Sequence, residues 1–190
     1  MSRLAPALLA SALLFSSVPA LARNVADVEV PETLSFEGKS LQLNGAGIRK
    51  KFVVKVYVGA MYLEAPGTSA NDILKADQAR VVRMTFLRSV DKGKILDAYK
   101  EGFEKNSKGD MAKLQPALDK LAAGIADMQK GQWMSVSYAP GKGVTVAQQS
   151  GATVKLDGAD AKVIGDALFR NWIGSDPADG GLKSAMLGGK

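Results

Sequence analysis

The sequence predicts an α+β fold in which a mainly antiparallel sheet is backed by helices. Three observations carry that prediction. Extended patterns dominate from Val25 to Leu63, helical patterns occupy the middle of the chain, and a run of short strands with tight turns precedes one last long helix. Strands and helices grouped into separate blocks are the mark of this class.

In chain order, the first segment is a leader. Met1-Ser2-Arg3 is a short positive start, Leu4 to Val18 is apolar, and Ala20-Leu21-Ala22 has the small-residue pattern of a cleavage site. The segment therefore reads as a secretory signal peptide, residues 1–22, cut after Ala22. Its apolar run is too short for a bilayer span of roughly 20 residues, so stable membrane insertion is not expected. Residues 23–190 then form a single domain of about 168 residues, long enough to bury one core. Its expected address is periplasmic or secreted.

Next come the strands. Val28 and Val30 open the extended region, Glu37-Gly38-Lys39 turns it, and Leu41 and Leu43 alternate with polar residues. Asn44-Gly45-Ala46-Gly47 reads as an interruption, better explained by a structural turn than by a dinucleotide fingerprint, because Lys50 stands where a third glycine belongs and no helix follows. Phe52 to Leu63 is apolar on both parities, as in a strand covered on both faces. Ser69 is placed to cap a short helix through Ala76, and Arg80 to Leu87 is another strand.

Asp91 and Asp110 then read as caps of two helices. The first carries Ile95, Tyr99 and Phe103 along one stripe. The second places Leu114, Leu118, Leu121, Ile125 and Met128 at core-facing spacing and ends at Gly131. Gln132 to Tyr138, Val144 to Val146 and Ala152 to Leu156 form the meander. A helix from Ala161 to Trp172 follows, with room for one short helix in the tail.

Composition narrows the chemistry. The chain has no cysteine and no histidine. Disulfides, thiolate nucleophiles, imidazole bases and the common zinc ligand sets are therefore unavailable. No metal site and no cofactor is expected. The chain carries 25 basic and 19 acidic residues; loss of Arg3 with the leader leaves 24 against 19, net +5. The basic residues are scattered, apart from Arg49-Lys50-Lys51, so nucleic acid is not an expected partner.

Among individual side chains, Arg49 and Tyr57 stand out. On one uninterrupted strand from 49 to 63, Arg49, Lys55 and Tyr57 share parity and one face. A guanidinium fork beside a phenol suits a carboxylate or oxyanion; a solvated strand-end charge is the plainer reading of Arg49. Arg80, Arg83 and Arg88 read as mostly surface charges, Arg83 as semi-buried. Glu101 and Glu104 belong to a polar helix face. Asp157, Asp160, Asp176 and Asp179 read as caps, and Trp133 and Trp172 as core residues.

Several of these segments together resemble a known family. Gly38-Lys39-Ser40, Leu43 to Arg49, Lys55 to Glu64, Val82 to Phe86 and Ala167 to Gly174 resemble the chalcone isomerase superfamily, most of all its secreted bacterial chalcone isomerase-like branch. The resemblance implies an open-faced β-sandwich-like fold with a ligand cleft between sheet and helices. In the plant enzymes of that superfamily a cleft arginine stabilises the charge formed during intramolecular cyclisation, and Arg49 matches its position. Non-enzymatic members bind fatty acids through the arginine and a tyrosine. The sequence departs from the enzymes at Tyr57, where they have threonine. It offers no clear equivalents of their helix tyrosine and asparagine in the region Lys92 to Gly102, and it has Gly165 near a specificity hydroxyl.

Two function classes and a third follow. The leading expectation is an exported, non-catalytic binding protein for a small hydrophobic or amphipathic anion such as a fatty acid, with Arg49 and Tyr57 as ligand contacts. The alternatives are an isomerase or intramolecular lyase of chalcone isomerase type, with Arg49 as oxyanion stabiliser, and a module that binds an envelope protein partner.

Overall fold

A computed structural model describes residues 22–189. The leader assigned to residues 1–22 lies outside the described residues, apart from Ala22. The mainly antiparallel α+β prediction holds. Among the described residues nine strands run in chain order: β1 Ala22–Val25, β2 Val28–Pro31, β3 Thr33–Phe36, β4 Lys39–Lys51, β5 Val54–Leu63, β6 Arg80–Phe86, β7 Trp133–Ala139, β8 Gly143–Gln148 and β9 Thr153–Leu156. β1 and β2 form a hairpin of their own, and β3 to β9 form one sheet in strictly sequential antiparallel order.

Five α-helices accompany them: α1 Ala70–Lys75, α2 Lys92–Asn106, α3 Met111–Gly124, α4 Ala161–Ile173 and α5 Gly180–Met186. The main core lies between the helices and one sheet face, where Met61, Leu63, Met134 and Val136 meet Phe103, Leu121, Leu168 and Phe169. Alternate residues of β5 (Val58, Ala60 and Tyr62) point the other way, into a smaller cluster with Val30 and Leu41. The N-terminal hairpin covers part of that second face, and the Tyr62 hydroxyl donates to the Pro31 carbonyl at 3.0 Å.

Four local expectations are corrected. The segment Asn44 to Gly47 is not a turn but the middle of β4, which runs thirteen residues. Asn44 is an extra residue in a bulge, since Leu43 pairs with Tyr62 and Gly45 with Met61. Its side chain holds two neighbours, donating to the carbonyls of Gly67 (2.9 Å) and Met186 (2.7 Å) and accepting from the Gly67 N–H (2.7 Å). The glycines exist for close packing: a Cβ on Gly45 would stand 2.0 Å from the Ala185 carbonyl oxygen, and one on Gly47 2.7 Å from the Ala185 Cβ. α5 therefore lies directly on the strand backbone.

The second correction concerns helix ends. α3 stops at Gly124 rather than Gly131, since the chain turns extended at Ile125; Gly124 itself lies against Val154 of β9, where a Cβ would collide. Ile125 and Met128 still reach the core, and Met128 pairs with Val90 through two backbone bonds. The third concerns caps. Ser69 and Asp179 cap α1 and α5 with their side chains, but Asp91, Asp110 and Asp160 make no side-chain cap bond. Asp91 pairs instead with Lys94 at 3.2 Å.

The fourth is Arg80, which is not a surface charge but fully buried. Its guanidinium lies between the rings of Tyr138 and Phe169, 4.9 and 4.8 Å from their centroids. It donates to the Ile73 carbonyl at 3.0 Å and forms an ion pair with Asp166. A charge this deep is retained only when paired and hydrogen-bonded. Arg83 is partly buried as expected and stacks on Trp133, 4.6 Å from its ring centroid.

Candidate functional site

Arg49 and Tyr57 do meet, by a different route from the single strand the sequence suggested. The chain reverses at Phe52-Val53, so the two residues sit on adjacent antiparallel strands and pair directly across β4 and β5. Residues directly opposite in such a ladder project to the same face. A second bulge lies here: Arg49 pairs with Tyr57 and Lys50 with Lys55, leaving Val56 as the extra residue. The bulge turns both Val56 and Tyr57 toward the helices, where both join the main core. Lys55 is exposed and takes no part in the cavity.

Behind this pair is a narrow apolar chamber of about 60 Å³ between the sheet and α2 and α4. Met84 and Phe86 of β6, Met134 of β7 and Ile95 of α2 supply its walls. At its mouth, past Arg49 and Lys94, it adjoins a wider and more polar vestibule of about 360 Å³. Arg49 lines both spaces. Gly165, expected near the pocket, instead packs α4 against the Tyr138 ring, away from the chamber.

Polar groups in the chamber are few and specific. The Trp172 indole N–H donates to the Tyr57 hydroxyl at 2.8 Å, which leaves the phenolic proton of Tyr57 free to donate elsewhere. The Tyr99 hydroxyl, also buried, has no hydrogen-bond partner. An unpaired buried hydroxyl costs free energy, so its presence needs a reason. The Arg49 guanidinium lies 5.7 Å from the Tyr57 ring centroid and, among the described residues, makes no side-chain hydrogen bond or ion pair beside that cation–π contact.

The charge state of the phenols follows from burial. Desolvation raises the Tyr57 pKa above the ordinary phenol value, against the opposing pull of the Arg49 charge and the Trp172 hydrogen bond. Burial raises that of Tyr99 as well, with Tyr57 adding to it. Both remain neutral donors at physiological pH. Among the described residues no aspartate or glutamate lines the inner chamber; Asp97 and Glu101 line the vestibule. Glu101 is held ionised by its hydrogen bond to Lys105.

The sequence reading missed three participants. Tyr99 stands on α2 in the stretch where no counterpart of a helix tyrosine was recognised, and its position on the apolar stripe disguised it as core. Trp172 is a core residue as expected, yet it also lines the chamber and orients Tyr57. Lys94, at the mouth, carried no sequence signal at all. Asn106, seven residues after Tyr99, is structural: it donates to the carbonyls of Gly102 and Asp176.

Residues 22–188 match the family model described as chalcone isomerase-like, nearly all of the described chain, and the chain belongs to that family. Among solved structures it is similar to the Arabidopsis thaliana fatty-acid binding protein, with a TM-score of 0.64 and 15% identity over 85% of this chain and 92% of that one. At that identity the likeness speaks for the fold. No curated protein matches the sequence.

Proposed function

We propose that this member of the chalcone isomerase-like family is an exported, non-catalytic binding protein for a small hydrophobic carboxylate such as a fatty acid. The observation that carries the reading is the Arg49–Tyr57 pair at the mouth of an apolar chamber holding two buried phenols with protons to donate. The Arg49 guanidinium receives the carboxylate, Tyr57 donates to it, and the hydrocarbon end enters between Met84, Met134 and Ile95. Flexible methionine walls let a narrow chamber widen around a guest. Affinity comes from buried alkyl surface, about 0.8 kcal/mol per CH2, and the charged contact sets orientation and selectivity.

The binding reading is favoured over an isomerase by the acid–base inventory. General acid–base catalysis works best with a group whose pKa lies near the operating pH. Among the described residues, the titratable groups lining the inner chamber and its mouth are two phenols held protonated by burial, the Arg49 guanidinium and Lys94, with no carboxylate. The fold's similarity to a fatty-acid binding protein points the same way. Export rests on the leader pattern.

Titration calorimetry with straight-chain carboxylates of increasing length, each beside its alcohol, tests the proposal. Carboxylate affinity rises by about fourfold per added CH2 until the chamber is full. The alcohols bind more weakly, and Arg49→Ala erases the difference while the melting temperature stays near that of the wild type. Unchanged carboxylate binding in Arg49→Ala, or a large loss of stability without a loss of binding, overturns it. Intact mass of the protein from an envelope extract, with the chain starting at Arg23, tests export.

A further inference from the structure

The β4–β5 hairpin ends in a tip that neither burial nor turn chemistry explains. Phe52 and Val53 are 90% and 92% exposed, far more than any other large hydrophobic residue among those described. Lys51 pairs with Val54, so these two residues are the whole connection. Phe52 has a φ of +56°, whereas Val53 does not enter positive φ. Two-residue hairpins with that pattern favour glycine at the first position, and a bulky side chain there is strained. Folding alone thus disfavours phenylalanine at this site twice over.

Charge adds a third anomaly. Lys50 and Lys55 stand directly opposite each other, a like-charge pair that weakens the ladder. Between Glu37 and Glu64 the chain carries no acidic residue. Arg49, Lys50, Lys51 and Lys55 form no ion pair among the described residues. The acids beside the collar are Asp97 and Glu101, which line the vestibule, and Asp179; Glu101 pairs with Lys105 at 2.8 Å, and Asp179 accepts from the backbone N–H groups of Lys50 (2.7 Å) and Leu182 (2.8 Å).

We propose that this tip docks the mouth of the cavity on an anionic lipid surface. Two apolar side chains lead, and a collar of cations follows one to three residues behind them. This layering matches a bilayer interface, with acyl boundary innermost and anionic headgroups outside it. A protein partner is the weaker occupant, because a two-residue point cannot by itself fill the roughly 800 Å² per side of a stable interface, whereas lipid demands no shape match. The tip also belongs to the cavity's entrance: Lys51, Phe52 and Val54 line the vestibule together with Arg49. Docking would set that entrance against the membrane. The inference concerns the surface and stands apart from the identity of any ligand.

The test is co-sedimentation of the processed chain, residues 23–190, with phosphatidylglycerol–phosphatidylethanolamine vesicles and with phosphatidylcholine vesicles, no carboxylate being added. The expected result is binding to the anionic vesicles only, weakened by salt and about tenfold weaker in Phe52→Gly and in Lys50→Ser/Lys51→Ser. Phe52→Gly should melt no lower than the wild type, which separates docking from folding. Absence of wild-type binding, equal binding by Phe52→Gly, indifference to lipid charge, or association through the tip without lipid each overturns the proposal.

Discussion

Trp172 and Tyr57, 115 residues apart in the chain, are joined by a 2.8 Å hydrogen bond in which the indole N–H donates to the phenol oxygen. The bond ties the last long helix to the β5 strand where both line the chamber. It also decides how Tyr57 faces a ligand, since an oxygen already accepting from the indole turns its own proton outward.

Trp172→Phe keeps most of the apolar bulk and removes that donor. It should destabilise the fold by about 1–2 kcal/mol, through the lost hydrogen bond and imperfect repacking. Carboxylate affinity should fall as well, because Tyr57 loses its orientation. Denaturant unfolding and calorimetric titration measure the two effects; unchanged affinity would separate Tyr57 from ligand binding.

Tyr99→Phe should act in opposite directions on stability and binding. The hydroxyl it deletes is buried without a partner, so the empty protein should gain about 1 kcal/mol. A carboxylate that uses that hydroxyl should bind more weakly. A loss of stability in the ligand-free variant would mean the hydroxyl is satisfied in solution.

Packing of α5 on β4 makes a paired prediction. Gly47→Ala places a Cβ 2.7 Å from that of Ala185 and should cost about 2 kcal/mol. Ala185→Gly in the same chain should recover part of the loss. Gly45→Ala meets the Ala185 backbone oxygen at 2.0 Å, so the same second substitution should not rescue it. Urea midpoints of the two single and two double variants check the distinction.

Alkaline titration reports on all four tyrosines. Burial raises every one above the ordinary 10.0, that of Tyr62 to about 12, while the Tyr138 hydroxyl also donates to Asp77. A pKa raised in the folded state favours the protonated phenol there. The resulting stability is complete below pH 10 and is lost as pH rises through the folded-state values. Stability should therefore hold level from neutrality to about pH 10 and fall above it, with tyrosinate absorbance appearing together with unfolding. Tyrosinate growing at pH 10 in a fully folded protein would contradict the burial.

Much of the fold was legible because it depends on local periodicity. The stripe Ile95, Tyr99, Phe103 placed α2, and the alternation around Val82, Met84 and Phe86 placed β6. The errors fell where a distant element decides. Gly45 and Gly47 looked like a turn because nothing nearby says that α5, some 140 residues on, lies against them. Arg80 looked exposed because its partners, Tyr138, Asp166 and Phe169, come from other elements.

The candidate site divides in the same way. Arg49 and Tyr57 stand out by residue types that suit an anion, and the structure brings them together, although by pairing across β4 and β5 with a bulge at Val56 rather than along a single strand. Tyr99 was missed because a tyrosine on a helical stripe looks identical whether it meets core or cavity.

By itself the sequence determined the class of fold, the absence of imidazole and thiol chemistry, and the leader pattern, all of which depend on composition and on neighbours within a few residues. Only the tertiary structure decided that a chamber exists, which phenols reach it, and that an arginine could be wholly buried. Those outcomes depend on contacts between segments a hundred residues apart, whose free energy is set by packing and desolvation rather than by local pattern.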